Sequence, residues 1–391
     1  ATKPWSHNAV ASDVELFPLK NRLPSSLNKW GKDYFKNSGN LVHFEAITGI
    51  AGNPHTSVQQ NLRQLANNFD NLKDFSKWVK QNFDGVVLSC ANDLRSNVER
   101  EALNRYIEAL DVPIFAFGLG LQDNIKMNEL TKSNQRFLSL LNEKASIFAV
   151  RGEYTNDFLH SNGLTNSVAL GCPSLYLYPD NLRSLSFDND KFVIENSRIM
   201  TGGYLSPAVL KENTRTSRLI EILDTFKRDK GSYVSYVLQN ELQHLPLDNS
   251  APIYSSATSR VNPDSINSIV EKLLDIKKSP INSYYLFNDV NAWRTLASTK
   301  DFYLGDRFHG GVTALQSGVP ACFLGNDLRL KELCEFFNLP FVTPASLTED
   351  VYGVLEKTLE NSSGFVKNYN EKYSKFISTC KAAGLEINEA M

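Results

Sequence analysis

From about residue 85 onward, short uninterrupted apolar runs alternate with longer stretches whose apolar residues recur at helical spacing. The runs Gly85–Cys90, Pro113–Phe117, Ile147–Val150 and Ser167–Leu170 are apolar on successive residues. Strands read this way when both faces of a sheet are covered. Helical patterns lie between them, at Val58–Asn82, Asn97–Leu110, Met127–Glu143 and Glu153–Ser161. The polar segment Tyr178–Lys191 interrupts the alternation with Pro, Asp and Asn, as an interdomain linker does. A second series then predicts strands at Phe192–Glu195, Tyr233–Leu238, Tyr284–Phe287, Phe302–Leu304 and Ala321–Leu324. Its helices are expected near Pro207–Arg228, Pro263–Ile276, Asp289–Ser298, Gly310–Ser317 and Leu328–Phe337. A last helix, from about Asn368 to Ala383, is expected to pack back on the first domain.

Strand–helix alternation predicts parallel sheets of the α/β class. A chain of 391 residues exceeds what one core usually fills. The reading is two Rossmann-like domains, 1–182 and 190–391, facing a cleft in a GT-B-like arrangement, with the acceptor side first and the donor side second. Ligands of such folds sit at the carboxyl ends of the strands. A net charge of −2 gives no whole-molecule attraction to nucleic acid, so none is expected as a partner. No apolar run approaches the length needed to span a bilayer, and the start carries no signal-peptide-like apolar stretch. Cytoplasmic location is the expectation, with any membrane link limited to peripheral association. The five cysteines form no Cys-x-x-Cys pair and read as buried thiols.

The segment Tyr303–Leu324 carries the strongest chemical signal. After an apolar strand come Asp306-Arg307-Phe308-His309-Gly310-Gly311, then a small-residue helix and a second strand. Arginine offers a fixed fork of donors for phosphate or carboxylate, and histidine exchanges a proton near neutral pH. Arg151 closes a strand just before a helix begins, a favourable place to hold an anion. Arg329 opens the helix after Ala321–Leu324, and Ser197-Arg198 follow the strand expected at Phe192–Glu195. Asn92, after the run ending at Cys90, is a candidate acceptor contact. Gly118-Leu119-Gly120 and Gly171-Cys172-Pro173-Ser174 each follow a strand and read equally well as turns. His43 and Glu45 share a face only if their segment is a strand; a turn leading into a helix is the expectation there, and a helix separates them. The six histidines are scattered, so no metal site is expected.

The segment Asp306–Arg329 resembles the C-terminal signature of the polysaccharide pyruvyl transferase family. The likeness rests on Arg307-Phe308-His309, on Ser317-Gly318-Val319-Pro320, on the strand Ala321–Leu324 and on Arg329. Phe148-Ala149-Val150-Arg151-Gly152 is similar to a further family block. Departures are Arg329 in place of a more usual lysine, Gly310-Gly311 after the histidine, and Ser89-Cys90-Ala91-Asn92 in place of a glycine-rich turn. The resemblance implies transfer of pyruvate from phosphoenolpyruvate to two hydroxyls of a sugar, forming a cyclic ketal and releasing phosphate. It implies no cofactor and no metal, and a sugar or a lipid- or nucleotide-linked glycan as acceptor, in building a capsule, exopolysaccharide or similar polymer. On this reading His309 and Arg307 are catalytic, while Arg151, Arg329, Ser197, Arg198, Gly310 and Asn92 bind substrate. A GT-B glycosyltransferase using a nucleotide sugar is the alternative, because a His-Gly-Gly turn before a helix also suits a diphosphate.

Overall fold

The structure is a computed structural model of the 391-residue chain. It describes residues 37–50, 66–91, 93–187, 195–203, 205, 215–243, 245, 254–255, 258–287, 289–325, 327–347 and 350–388. Among these, α1 (Gly39–Ile50) and α2 (Leu72–Asn82) precede the first sheet. That sheet is built from β1 (Val86–Ser89), α3 (Glu101–Ala109), β2 (Ile114–Leu119), α4 (Lys132–Lys144), β3 (Ala145–Val150), α5 (Glu153–Ser161) and β4 (Ser167–Ala169). Its strands run parallel in sequence order. Phe115, Ala116, Ile147 and Phe148 are buried on consecutive positions, which is why these strands read as unbroken apolar runs. A short helix at Pro173–Tyr176 and α6 (Pro179–Arg183) lead out of this unit.

The second sheet collects β5 (Arg198–Thr201), α7 (Arg215–Lys230), β6 (Tyr233–Leu238), β7 (Tyr254–Ser255), β8 (Arg260–Val261), α8 (Pro263–Leu274), β9 (Ile281–Leu286), α9 (Val290–Ala297), β10 (Phe302–Gly305), α10 (Phe308–Gln316), β11 (Ala321–Leu324), α11 (Leu328–Phe337) and β12 (Phe341–Val342). The strand order is β12-β11-β10-β5-β6-β9-β8-β7, parallel except for β7 and β8. The chain leaves β5 toward β6 and β9, then returns to place β10 on the other side of β5. The β5/β10 seam is therefore the topological switch point of the sheet, where helices diverge and a crevice opens. Two such α/β units give the GT-B arrangement expected from the sequence.

Most expected elements fall within a few residues of those observed. The strands β7, β8 and β12 are each two residues long, too short to leave an apolar run to detect. Residues 192–194 of the expected strand Phe192–Glu195 lie outside the described residues, and the strand observed is Arg198–Thr201. Parts of the helices expected at Val58–Asn82 and Pro207–Arg228 also lie outside them.

After α12 (Val351–Glu360), the chain ends in α13 (Phe365–Ala382). This helix lies against the first unit. Phe376 stacks on Tyr176 at 4.2 Å between ring centroids, and the Tyr369 hydroxyl donates to the Leu175 carbonyl at 2.9 Å. Tyr176 and Phe376 are almost fully buried, so the contact is part of the core.

Candidate active site

The site is centred on the first turn of α10, at the switch point. Gly305 ends β10 so close to the backbone of Gly202 that a side chain there would collide with it. Glycine at 305 lets the two strand ends converge. Arg307 is the residue before α10, so His309 stands in the helix's first turn and not in a free loop. Gly310 lies inside the helix, where a Cβ would stand 2.9 Å from the Tyr303 hydroxyl. Packing of α10 against β10 gives Gly310 a structural reason to be glycine, beside the substrate-binding role expected of it.

Arg307 also departs from expectation. Its guanidinium is buried and ion-paired with the equally buried Glu241, and its Nε donates to Glu241 Oε1 at 3.1 Å. Asn240 Oδ1 takes a further donor at 2.6 Å. A buried cation needs such a partner, because removing it from water is costly. Arg307 thus braces the seam behind His309 and is not the open anion fork the sequence suggested. Glu241 stands on a short helix after β6 in a segment without a strong pattern, which is why the sequence did not single it out.

Ser197 and Arg198 lie at the amino end of β5, opposite the ligand-bearing ends. Ser197 is buried and its carbonyl accepts from Tyr233 N, while exposed Arg198 grips Asp301 through Nη2 at 2.8 Å. Their expected substrate contact fails because the strand begins where it was expected to have ended. Asn92 lies outside the described residues.

Arg151 and Arg329 do reach the site. Arg151 follows β3, is buried, and its Nε donates to the Gly118 carbonyl at 3.0 Å. A Cβ at Gly120 would stand 2.6 Å from Arg151 Cδ, so the glycine makes room for the arginine stem. Burial first, then the charge of Arg329, pull the Arg151 pKa down to about 10. Two guanidiniums close enough to disfavour each other form a place that an anion would relieve. Arg329 Nε donates to Asp327 Oδ1 at 3.3 Å. Glu332 of α11 accepts from Thr155 N at 2.6 Å and from its hydroxyl at 2.9 Å. Glu332 occupies the amino end of α5 from the second unit, which fixes Arg151 relative to Arg329.

Helix α1 delivers an unexpected component. His43 is buried, with Nδ1 3.6 Å from Cys172 Sγ, and that sulfur is 3.9 Å from His309 Nε2. The rings of His43 and His309 are 6.0 Å apart. A helix does separate His43 from Glu45, as expected. Glu45 turns instead to Arg294, accepting a hydrogen bond from Nη1 at 2.7 Å. Burial is the main cause that holds both histidines below the ordinary imidazole pKa, His43 at about 3 and His309 far below 6.5, with Arg151 acting in the same direction on each. Burial raises the Cys172 thiol, so it stays protonated and is a poor nucleophile.

A polar open cavity of about 870 Å³ adjoins Arg329, lined by Arg95, Asn97, Gln122, Asp123 and Asn124 from the loops after β1 and β2.

The family model for polysaccharide pyruvyl transferases matches residues 12–327. No curated protein matches the chain. Among solved structures, a Staphylococcus aureus MnaA–UDP complex is similar at 12% identity and a TM-score of 0.48, covering 90% of this chain and 88% of the other. UDP-GlcNAc 2-epimerase from Neisseria meningitidis, bound to UDP-GlcNAc, matches at 13% identity and a TM-score of 0.46, covering 83% of each chain. The corresponding epimerase from Methanocaldococcus jannaschii gives 12% identity and a TM-score of 0.43, covering 83% of this chain and 84% of that one. These likenesses say nothing about what this chain binds.

Proposed function

The chain belongs to the polysaccharide pyruvyl transferase family, and from that premise we propose that it transfers pyruvate from phosphoenolpyruvate to two hydroxyls of a sugar, forming a cyclic ketal. The observation that carries the reading is the convergence of His309, Arg151 and Arg329 at the switch point. The two guanidiniums suit the phosphate and carboxylate of a small, multiply charged donor.

His309 is neutral at pH 7, since burial, then His43 and the cations Arg151 and Arg329, disfavour its charged form. A neutral imidazole can accept a proton from an acceptor hydroxyl. The bound donor's negative charge offsets the two arginines and raises the imidazole's basicity, so the same nitrogen can hold that proton and pass it to the donor methylene. The first hydroxyl oxygen bonds to C2 of the donor as its proton reaches C3. Phosphate then leaves from C2, the second hydroxyl oxygen takes its place, and that hydroxyl's proton departs with phosphate or water. Atoms and charge balance with neither a cofactor nor a metal. The polar cavity beside Arg329 is the acceptor site, where amides, a carboxylate and a guanidinium suit sugar hydroxyls.

Thermal unfolding with phosphoenolpyruvate and, separately, with nucleotide sugars tests the assignment. A ligand at 100 times its Kd adds about 2.7 kcal/mol of stability. Stabilisation by phosphoenolpyruvate is expected, and Arg151→Ala should weaken binding by about 1.5–3 kcal/mol, the scale of a hydrogen bond to a charged group. His309→Asn should retain donor binding and lose transfer to glycan acceptors, read by mass spectrometry. Stabilisation by a nucleotide sugar alone would replace this reading with glycosyl transfer.

A further inference from the structure

We propose that His43, Cys172 and His309 form a binding site for a soft divalent cation of the zinc type, and that its occupation switches the enzyme off by sequestering His309. The three side chains come from α1, from the turn after β4 and from α10, and their ligand atoms all lie within 4.8 Å of one another. A tetrahedral ion with Zn–S near 2.3 Å and Zn–N of about 2.0–2.1 Å spaces sulfur and nitrogen about 3.6 Å apart. The observed separations are 3.6 Å to His43 Nδ1 and 3.9 Å to His309 Nε2, so the sulfur already stands near the spacing of two ligands on one ion from both nitrogens, and a shift of the His309 ring toward His43 closes the set.

The surroundings favour ligation as well as proximity. The Cε1–Nε2 edge of His43 lies along the backbone of Gly118 and the carbonyl of Cys90. With its proton on Nε2, the ring turns the Nδ1 lone pair toward Cys172. A Cβ at Gly118 would stand 2.8 Å from His43 Cε1, so glycine there is what admits the ring. Ser174 Oγ, 3.0 Å from the sulfur, can donate a hydrogen bond to a thiolate once it forms. His43 and Cys172 are buried and His309 is partly exposed, so an ion would enter along the His309 side.

On binding, the thiol loses its proton to solvent and the thiolate bonds to the ion. Both imidazoles ligate as neutral bases, and three protein ligands leave a fourth position for water. His309 then has no lone pair with which to move a proton. Binding is independent of the proposed reaction; the inhibitory consequence rests on that reading.

The test begins with binding. Zinc titrated into the metal-free full chain against a chromogenic chelator should show one tight site per chain. Cobalt substituted for zinc should show a thiolate-to-cobalt charge-transfer band. Cys172→Ser and His43→Gln should each weaken zinc binding by about 100-fold or more, beyond the 10–100-fold seen on losing an outer support. If Cys172→Ser does not fold, the cobalt band in the unaltered chain and His43→Gln decide the matter. No stoichiometric binding, or equal binding in folded variants, would overturn the site. Zinc at one equivalent should then stop phosphate release from phosphoenolpyruvate, with recovery on chelation; unchanged or faster turnover in the zinc-loaded enzyme would overturn the switch while leaving the binding result intact.

Discussion

Arg307 and His43 show how neighbours settle a side chain's role. Arg307 has the composition of an anion clamp, yet Glu241 neutralises it in the interior. Arg307→Ala would strand a buried carboxylate, and breaking such a pair costs about 3–5 kcal/mol. Denaturant unfolding should register that loss, whereas Arg151→Ala should act mainly on donor affinity. His43 carries a pH signature. Its folded pKa of about 3 is below the unfolded value near 6.5, so the unfolded chain binds more protons between them. Its contribution to stability is therefore complete above about pH 6.5 and is lost as the pH falls toward 3, at up to about 1.4 kcal/mol per pH unit. His309 acts with the same sign. With chelator present, His43→Gln should shrink the stability lost between pH 6.5 and 5 by about 1–2 kcal/mol, measured by urea unfolding.

At the scale of elements, the informative positions are glycines where helices meet strands. Gly311 faces the Phe323 ring of β11 so closely that a methyl group would overlap it. Gly311→Ala gains helix propensity but overpacks the helix–strand contact, and overpacking typically costs about 1–3 kcal/mol. A lowered melting temperature is expected, and unchanged stability would mean that α10 can move away from the sheet. The sequence marked Gly310-Gly311 as special but supported a loop near ligand as readily as a packed helix. Both uses of glycine exploit the missing Cβ, and only the neighbouring Tyr303 and Phe323 rings distinguish them. Glu332 lies at the same scale: it looks like one more charge on an amphipathic helix, yet it receives the first turn of α5.

Across the whole molecule, α1 joins the two units. Glu45 accepts from Arg294, whose guanidinium also lies 4.6 Å from the centre of the Tyr178 ring. Gln316 of α10 donates to the Ser174 carbonyl at 2.7 Å, tying the switch-point helix to the turn that holds Cys172. Arg294→Ala removes charged hydrogen bonds between the units and should cost about 1.5–3 kcal/mol. Calorimetry should show a lower melting temperature, with broadening if the units then unfold separately.

By itself the sequence determined the α/β class, most strand positions, the Arg307–His309 signature and the place of Arg151. Those features are local: buried parallel strands need consecutive apolar residues, and a strand-to-helix turn needs glycine and polar caps. Only the tertiary structure decided that Arg307 faces Glu241, that Arg198 lies at the wrong end of its strand, and that His43 and Cys172 meet His309. Positions 43, 172 and 309 are far apart along the chain, and nothing in a local pattern records their approach. Charge pairing and metal-like clustering are properties of distance in space, which packing of the two sheets sets and residue order does not.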